Sequence, residues 1–374
     1  MAHVVNLAII AGQLVVGGAE RQLYLWLSHM DRGRFNPIVL TLHPGNGDYW
    51  EDPIENLNIP LYRVERNGNR FSRLIEIIHL LRPHQPDLIH GWHTFASVYA
   101  GIAGKVLKAK SLGGIRSSYS AIDGTWETRL SRFLCDAVVA NSKVTAASYQ
   151  LGQKLKKQPV FTVQNAIATE FEEREFAREY LSKAYGLSKD ALWVASIGRV
   201  DPLKRFDILV RLASMMKDAP FKAHFLLFGD GPQKKALEEL ARSLGVEDRV
   251  TFAGEFPSAS RWMKGFDIFC FPSEDEGLPN AVMEAAAAGL PILAWKYPFN
   301  EEILEDRKMA LLIEPQNLVA MKNALLQLMA SKSLRDTLGQ AAQEHIQATF
   351  SLQRYIESMT EVYETVLQLP LPQV

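Results

Sequence analysis

Residues 272–291 read Pro-Ser-Glu-Asp-Glu-Gly-Leu-Pro-Asn-Ala-Val-Met-Glu-Ala-Ala-Ala-Ala-Gly-Leu-Pro, set between two apolar runs, Ile268 to Phe271 and Pro291 to Ala294. Strand, loop, helix, strand in that order is the repeating unit of a parallel sheet. Pro279 suits a first helical turn, where its missing N–H and fixed φ cost nothing, so a helix is expected to begin near Leu278 to Asn280. A helix start beside Gly277 offers aligned N–H donors and a positive dipole end to a phosphate. Glu276 stands just before that start and Glu284 about one turn beyond it. Two carboxylates beside a phosphate make sense when they accept hydrogen bonds from hydroxyls, which points to a ligand carrying both phosphates and vicinal diols. The same spacing also fits a solvated acidic loop, Glu274-Asp275-Glu276, ahead of an Ala-rich core helix.

Outward from this unit the beat of short apolar runs and amphipathic stretches continues in both directions, as expected of an α/β protein with helices on both faces of parallel sheets. Toward the N-terminus, strands are expected at 4–11, 37–42, 87–90, 137–140 and 160–163, with helices at 19–30, 71–81, 95–107 and 142–151. The second series runs through strands at 192–197, 223–228, 250–252, 268–271 and 291–294 and helices at 206–216, 232–244 and 279–288. A charged stretch, Glu170-Phe-Glu-Glu-Arg-Glu, marks the join. The expected organisation is two doubly wound, Rossmann-like domains facing a central cleft, 1–168 and 169–350, with a last helix, 351–374, returning to the first. After Pro315 the pattern is wholly helical, and that last helix must bury its apolar stripe somewhere.

The chain has 374 residues, with 41 basic and 42 acidic side chains and a formal charge of -1. Such a balance supplies no overall field for nucleic acid, and no nucleic-acid partner is expected. Cys135 and Cys270 stand far apart, so thiols build neither a disulfide framework nor a clustered zinc site, and a reducing cytoplasm is the expected compartment.

Four further stretches carry chemistry. In Ile197-Gly-Arg-Val-Asp-Pro-Leu-Lys-Arg, Arg199 and Lys204 emerge at a strand's carboxyl end, where a guanidinium and an ammonium can neutralise a departing diphosphate. A solvated basic turn is the plainer reading. Leu227-Phe-Gly-Asp-Gly-Pro places Gly229 and Asp230 in a tight turn but fails the dinucleotide fingerprint, because Gly231 is followed by Pro-Gln-Lys. Val16-Gly17-Gly18-Ala19-Glu20 joins the first strand to its helix and can bring backbone N–H groups to the same diphosphate, or simply need small residues. Asp87-Leu-Ile-His90-Gly-Trp-His93 ends a strand with two histidines, either of which suits acid/base work or a sugar hydroxyl, and zinc lacks a third and fourth ligand beside them. No phosphate loop of the Gly-x4-Gly-Lys-Ser/Thr kind is present.

Together these motifs resemble the retaining glycosyltransferases of family four, over most of the chain. That family has the GT-B fold and uses nucleotide-activated sugars without a metal or cofactor. Its paired glutamates correspond to Glu276 and Glu284, its Gly-Arg…Lys pair to Gly198-Arg199 and Lys204, and its Gly-Asp-Gly-Pro turn to Gly229 through Pro232. The resemblance implies that Glu284 holds the nucleotide ribose. Glu276 and the backbone of Gly277, Leu278, Pro279 and Asn280 would hold the donor sugar and phosphates, and Arg199 with Lys204 the diphosphate. Gly229, Asp230, Gly17 and Gly18 complete the donor site. The catalytic places fall to His93 and Glu276, with the choice between His90 and His93 as the donor-facing ring left open. The implied activity is sugar transfer to an acceptor hydroxyl in polysaccharide or glycolipid biosynthesis, against loops around Arg116, Tyr119 and Trp126. A nucleotide-sugar epimerase and an inactive nucleotide-sugar-binding protein are the alternatives.

Three departures stand out. Trp92 occupies the second slot of the family's His-x-His, Asn165-Ala-Ile-Ala replaces Asn-Gly-Ile-Asp, and Lys204-Arg205 replaces Lys-Gly. The basic runs Lys105-Val-Leu-Lys-Ala-Lys and Lys154-Leu-Lys-Lys suggest peripheral contact with the cytosolic face of a membrane, should the acceptor be lipid-linked.

Overall fold

The computed structural model describes residues 3–42, 48–64, 69–117, 125–152, 158–256 and 258–368. It contains two compact units, one of Met1–Ala166 with Leu352–Val374 and the other of Ile167–Ser351. Tyr119 and the Lys154-Leu-Lys-Lys run lie outside the described residues.

The first unit is built on a parallel sheet of β1 (Val5–Ala11), β2 (Phe35–Thr41), β3 (Leu61–Arg63), β4 (Leu88–Gly91), β5 (Lys110–Ile115), β6 (Ala137–Ala140) and β7 (Val160–Thr162), in the order β3-β2-β1-β4-β5-β6-β7. Leu7 to Ala11 are buried without a break, as a central parallel strand covered on both faces requires. β5 escapes the sequence reading because Lys-Ser-Leu-Gly-Gly-Ile has little strand propensity. A Cβ on its Gly114 would fall 2.4 Å from the Trp92 carbonyl oxygen, so the position requires glycine for close backbone approach. β3 and the helices Glu51–Glu55 and Trp126–Leu134 are likewise additions to the expected series. The Lys105–Lys110 run does not form one basic face for a membrane, because Lys110 opens β5 and is buried.

The C-terminal helix Leu352–Gln368 belongs to this first unit, where its apolar stripe is buried. Tyr355, Met359, Val362, Tyr363 and Val366 recur at helical spacing and are buried in one core with Trp26, Phe35 and Trp92. Tyr363 meets Trp26 edge-on at 5.3 Å, and the Tyr355 hydroxyl donates to the Gln22 carbonyl at 3.0 Å.

The second unit carries β8 (Leu192–Ile197), β9 (Ala223–Phe228), β10 (Val250–Gly254), β11 (Ile268–Phe271), β12 (Ile292–Trp295) and β13 (Ala310–Ile313) as a parallel sheet ordered β10-β9-β8-β11-β12-β13. Cores lie on both of its faces, one centred on Trp193, Phe228 and Phe269, the other on Phe225, Cys270 and Leu325. The helix expected from Pro232 starts at Lys234 instead. Gln233 gives its N–H to the Val200 carbonyl at 3.1 Å, so Pro232 and Gln233 stay in a turn that ties two loops together.

Candidate active site

In a doubly wound sheet the loops at the strands' carboxyl ends part where the strand order reverses, leaving a crevice at that switch point. The reversal lies between β8 and β11 in the second unit and between β1 and β4 in the first. Every stretch singled out above for chemistry follows one of those four strands, save the Gly229–Pro232 turn after β9.

After β8 the chain makes the turn Gly198 to Asp201 and a short 3-10 helix, Pro202–Lys204. The Asp201 carboxylate caps it, accepting from the N–H groups of Leu203 (3.0 Å) and Lys204 (3.2 Å). This fixes the root of Lys204, whose ammonium pairs with the Glu276 carboxylate and lies 5.9 Å from the Phe271 ring centroid. Glu276 also accepts from the Ser273 hydroxyl at 2.8 Å. Pair and hydroxyl are mostly buried, with side-chain exposures of 22% for Lys204 and 14% for Glu276. The Glu276 carboxylate is therefore compensated by its own cation. The two loops are also joined through their backbones, Glu274 N–H donating to the Leu203 carbonyl at 2.9 Å.

Arg205, where the family has glycine, adopts a left-handed φ of 51°. Its guanidinium offsets that strain by binding Asp207 at 2.9 and 3.2 Å and by pairing with Glu274, so it bridges the loops after β8 and β11. Arg199 is exposed and has no ion pair among the described residues, which leaves its charge available to a ligand.

The Gly229-Asp230-Gly231 turn packs directly on the turn that carries Arg199. Gly229 has φ of 136°, and a Cβ there would sit 1.8 Å from the Gly198 carbonyl oxygen; one on Gly231 would sit 2.4 Å from that of Val200. Val200 N–H donates to the Asp230 carbonyl at 2.9 Å. These glycines thus bring two backbones together.

Beyond Glu276, Gly277, Leu278 and Pro279 are buried and Asn280 is the first residue of the helix Asn280–Ala287, with Pro279 as its N-cap. The Pro279 carbonyl receives the N–H groups of Val282 and Met283. Glu284 is buried within this helix, 7% exposed, and holds a polar partner. A buried carboxylate in an Ala-rich core helix is costly unless a partner compensates it.

In the first unit Gly17 caps the helix Gly18–His29 and Gly18 opens it. His93 caps the helix Thr94–Leu107 and faces a cavity of about 310 Å³ lined by Gly12, Gln13, Val15, Glu20, His93 and Phe95. His90 goes elsewhere. Its Nδ1 lies 2.8 Å from the Tyr363 hydroxyl, and burial, with the positive charge of Arg116 adding to it, holds its pKa well below the usual histidine value. A neutral ring in the core is the result. Trp92 is also core, donating its indole N–H to the Ala19 carbonyl at 2.9 Å and carrying the Arg116 guanidinium 3.4 Å above its ring. Ala166 is held by its backbone through two bonds with the Gln22 side chain, 2.8 and 2.9 Å, so the drift in that motif leaves the local frame intact.

Glu20, Ser273, Glu274 and Arg205 are the participants that the sequence reading did not select. Of these, Glu20 had a signal: an acid in the first turn of a helix that opens on two glycines.

Two family models match the chain, Glycosyltransferase Family 4 over residues 16–171 and Glycosyl transferases group 1 over residues 177–345. It is 26% identical to the lipopolysaccharide core biosynthesis glycosyltransferase LpsE of Rhizobium meliloti, over 94% of this chain and 96% of that one. It is 31% identical to EpsF of Bacillus subtilis, provisionally named a glycosyltransferase, over 74% of this chain and 75% of that one. Its fold matches the crystal structure of Anabaena HepE in complex with UDP and glucose, with a TM-score of 0.86 at 18% identity, covering 96% of this chain and 100% of that one. The chain belongs to the family-four, group 1 glycosyltransferases and is a glycosyltransferase of the GT-B fold.

Proposed function

We propose that this enzyme is a retaining, metal-independent transferase that moves a sugar from a nucleoside diphosphate to an acceptor hydroxyl, in the assembly of a polysaccharide or glycolipid. The observation that carries the reading is the Lys204–Glu276 pair at the switch point of the second sheet, with Arg199, which has no ion pair among the described residues, on the same turn. As the bond between the anomeric carbon and the phosphate oxygen breaks, charge collects on the diphosphate, and Arg199, Lys204 and the start of the helix Asn280–Ala287 supply fixed positive potential to meet it. Glu284 would take the ribose hydroxyls and Glu276 the sugar. By the family resemblance, the acceptor oxygen attacks the same face and its proton passes to the leaving phosphate. The names of LpsE and HepE's bound UDP and glucose support the acceptor class and the donor type.

A thermal-shift panel of UDP-, GDP- and ADP-sugars tests the donor. One nucleotide class is expected to stabilise the enzyme by about 2.7 kcal/mol at about 100 times its Kd, and no shift with any would contradict the reading. Chromatography of the products separates the rivals. Transfer that needs acceptor supports this function, an isomerised nucleotide-sugar an epimerase, and binding without turnover an inactive binder.

Among the described residues no helix is long and apolar enough to cross a membrane. Contact with an anionic bilayer surface instead fits one face of the first unit. Arg70 lies 4.5 Å over the Trp126 ring, which sets the first turns of the helices Arg70–Leu81 and Trp126–Leu134 side by side. Phe71 and Ile75 are 71% and 54% exposed; Trp126, Leu130 and Phe133, at i, i+4 and i+7, are 41%, 40% and 47% exposed. Arg70 and Arg129 are exposed on these helices beside the apolar side chains, whereas Arg132 is turned to the Gly152 carbonyl and the Tyr149 ring. A Trp126→Ser, Leu130→Ser, Phe133→Ser variant is expected to bind vesicles of phosphatidylcholine with phosphatidylglycerol about 100-fold more weakly. Flotation equal to wild type, or no preference of wild type for the anionic vesicles, would refute the contact.

A further inference from the structure

Gly17 has an extended backbone, φ -160°, that any residue can adopt, so its turn does not explain the glycine. What a side chain there would meet is Glu20: a Cβ on Gly17 would fall 2.2 Å from Glu20 Oε2. The missing side chain clears the path of a carboxylate, and that carboxylate leads to His93. Glu20 Oε1 lies 3.2 Å from His93 Nε2, with both side chains largely shielded, 12% and 18% exposed. The other ring nitrogen, His93 Nδ1, is buried and has no hydrogen-bond partner among the described residues. Phe95 lies near-parallel to the imidazole, 13° between planes at 5.6 Å, and limits its rotation. Glu20, His93 and Phe95 all line the same cavity of about 310 Å³ at the switch point of the first sheet.

We infer that Glu20 is a positioning residue for His93. By accepting the Nε2 proton it selects the tautomer whose Nδ1 carries the lone pair, and it holds the ring so that Nδ1 accepts a hydrogen bond from a hydroxyl of a bound sugar. An orphaned acceptor in a cavity wall is the partner such a hydroxyl needs. The other charged and titratable groups near the ring are His90 on β4, neutral in the core, and Arg116 after β5, whose charge acts on His90 and which feels that of Glu20. Glu20 is thus the carboxylate that the structure supplies to His93. The inference rests on the transferase reading above and adds to it the residue that sets the histidine's geometry.

A double-mutant cycle tests it, with donor turnover followed as nucleoside-diphosphate release from UDP-glucose, GDP-mannose and ADP-glucose, using whichever is turned over. Glu20→Gln and His93→Ala are each expected to lower turnover about 10- to 100-fold. In the His93→Ala background, Glu20→Gln should have no further effect, because Glu20 acts only through the ring. Gly17→Ala should reproduce the Glu20→Gln loss with an unchanged melting temperature, since it displaces the carboxylate without straining the backbone; should it fail to fold, the cycle decides alone. Losses that multiply, or full activity in Glu20→Gln, overturn the assignment. Calorimetry then tells whose hydroxyl is held. If Glu20→Gln abolishes the affinity gained by the nucleotide-sugar over its free nucleoside diphosphate, the hydroxyl is the donor's; if that gain persists while transfer falls, it is the acceptor's. Overturning results with Lys204→Ala still inactive would remove Glu20 and leave the proposed activity standing.

Discussion

Lys204→Ala is expected to lower sugar transfer by about 100- to 1,000-fold, the range for losing one preorganised charge that acts on a leaving group. The substitution does more than remove a cation. Glu276, now held only by the Ser273 hydroxyl, would face the donor phosphates with its charge uncompensated. Repulsion then adds to the lost attraction, so the ground state of the bound donor weakens as well as the transition state. A rise in KM for the nucleotide-sugar together with a fall in kcat is the predicted pattern, with the far-ultraviolet circular dichroism unchanged. Lys204→Arg should recover part of the loss, because the charge returns but its planar fork does not fit a site shaped by a single ammonium. Wild-type rates in Lys204→Ala would remove the assignment of this pair.

The largest expected effect on stability is at Gly229. An alanine there must hold φ of 136°, outside the range L residues tolerate, with its Cβ 1.8 Å from the Gly198 carbonyl oxygen. Backbone strain and forced separation of the two turns each cost about 1–3 kcal/mol, enough to lower the melting transition of the second unit by about 10 °C. Donor affinity should fall too, since the displaced turn carries Arg199. Gly186 provides the contrast. It also has positive φ, 66°, but nothing lies within 4 Å of its would-be Cβ, so Gly186→Ala should cost only about 1–2 kcal/mol and leave turnover intact. Differential scanning calorimetry of the two variants separates a strained conformation alone from strain with collision.

Much of this molecule was legible from spacing. The 272–291 stretch announced a strand–loop–helix crossover, and the helix begins at Asn280 within the expected bounds. Strands built from continuous apolar runs, such as β8, β9 and β11, fall where they were expected, because burial on both faces leaves an unbroken signal. β5 was missed for the opposite reason: its glycines serve a close approach of backbone from elsewhere in the chain, which no local pattern reports. The site shows the same division. Lys204 was selected by its place after a strand end and Glu276 by its place before a helix start, but nothing in the linear order says that they pair. Their loops are joined by the Glu274–Leu203 backbone bond and by Arg205, whose left-handed conformation is invisible in sequence.

The two histidines mark the limit most clearly. Their spacing put both at the end of β4, but His90 lies within the strand and His93 beyond it as the cap of the following helix, and the local pattern does not say what surrounds either. The C-terminal helix decided one fate, bringing Tyr363 from the far end of the chain to bury and neutralise His90. Glu20 decided the other, reaching His93 across the turn that Gly17 keeps clear. By itself the sequence determined the parallel α/β series and the presence of an apolar stripe on the last helix that had to be buried, because periodicity and local turn chemistry act over a few residues. Which charges meet, which ring stays neutral and which glycine makes room were decided only by tertiary structure, since those depend on contacts between residues remote in sequence.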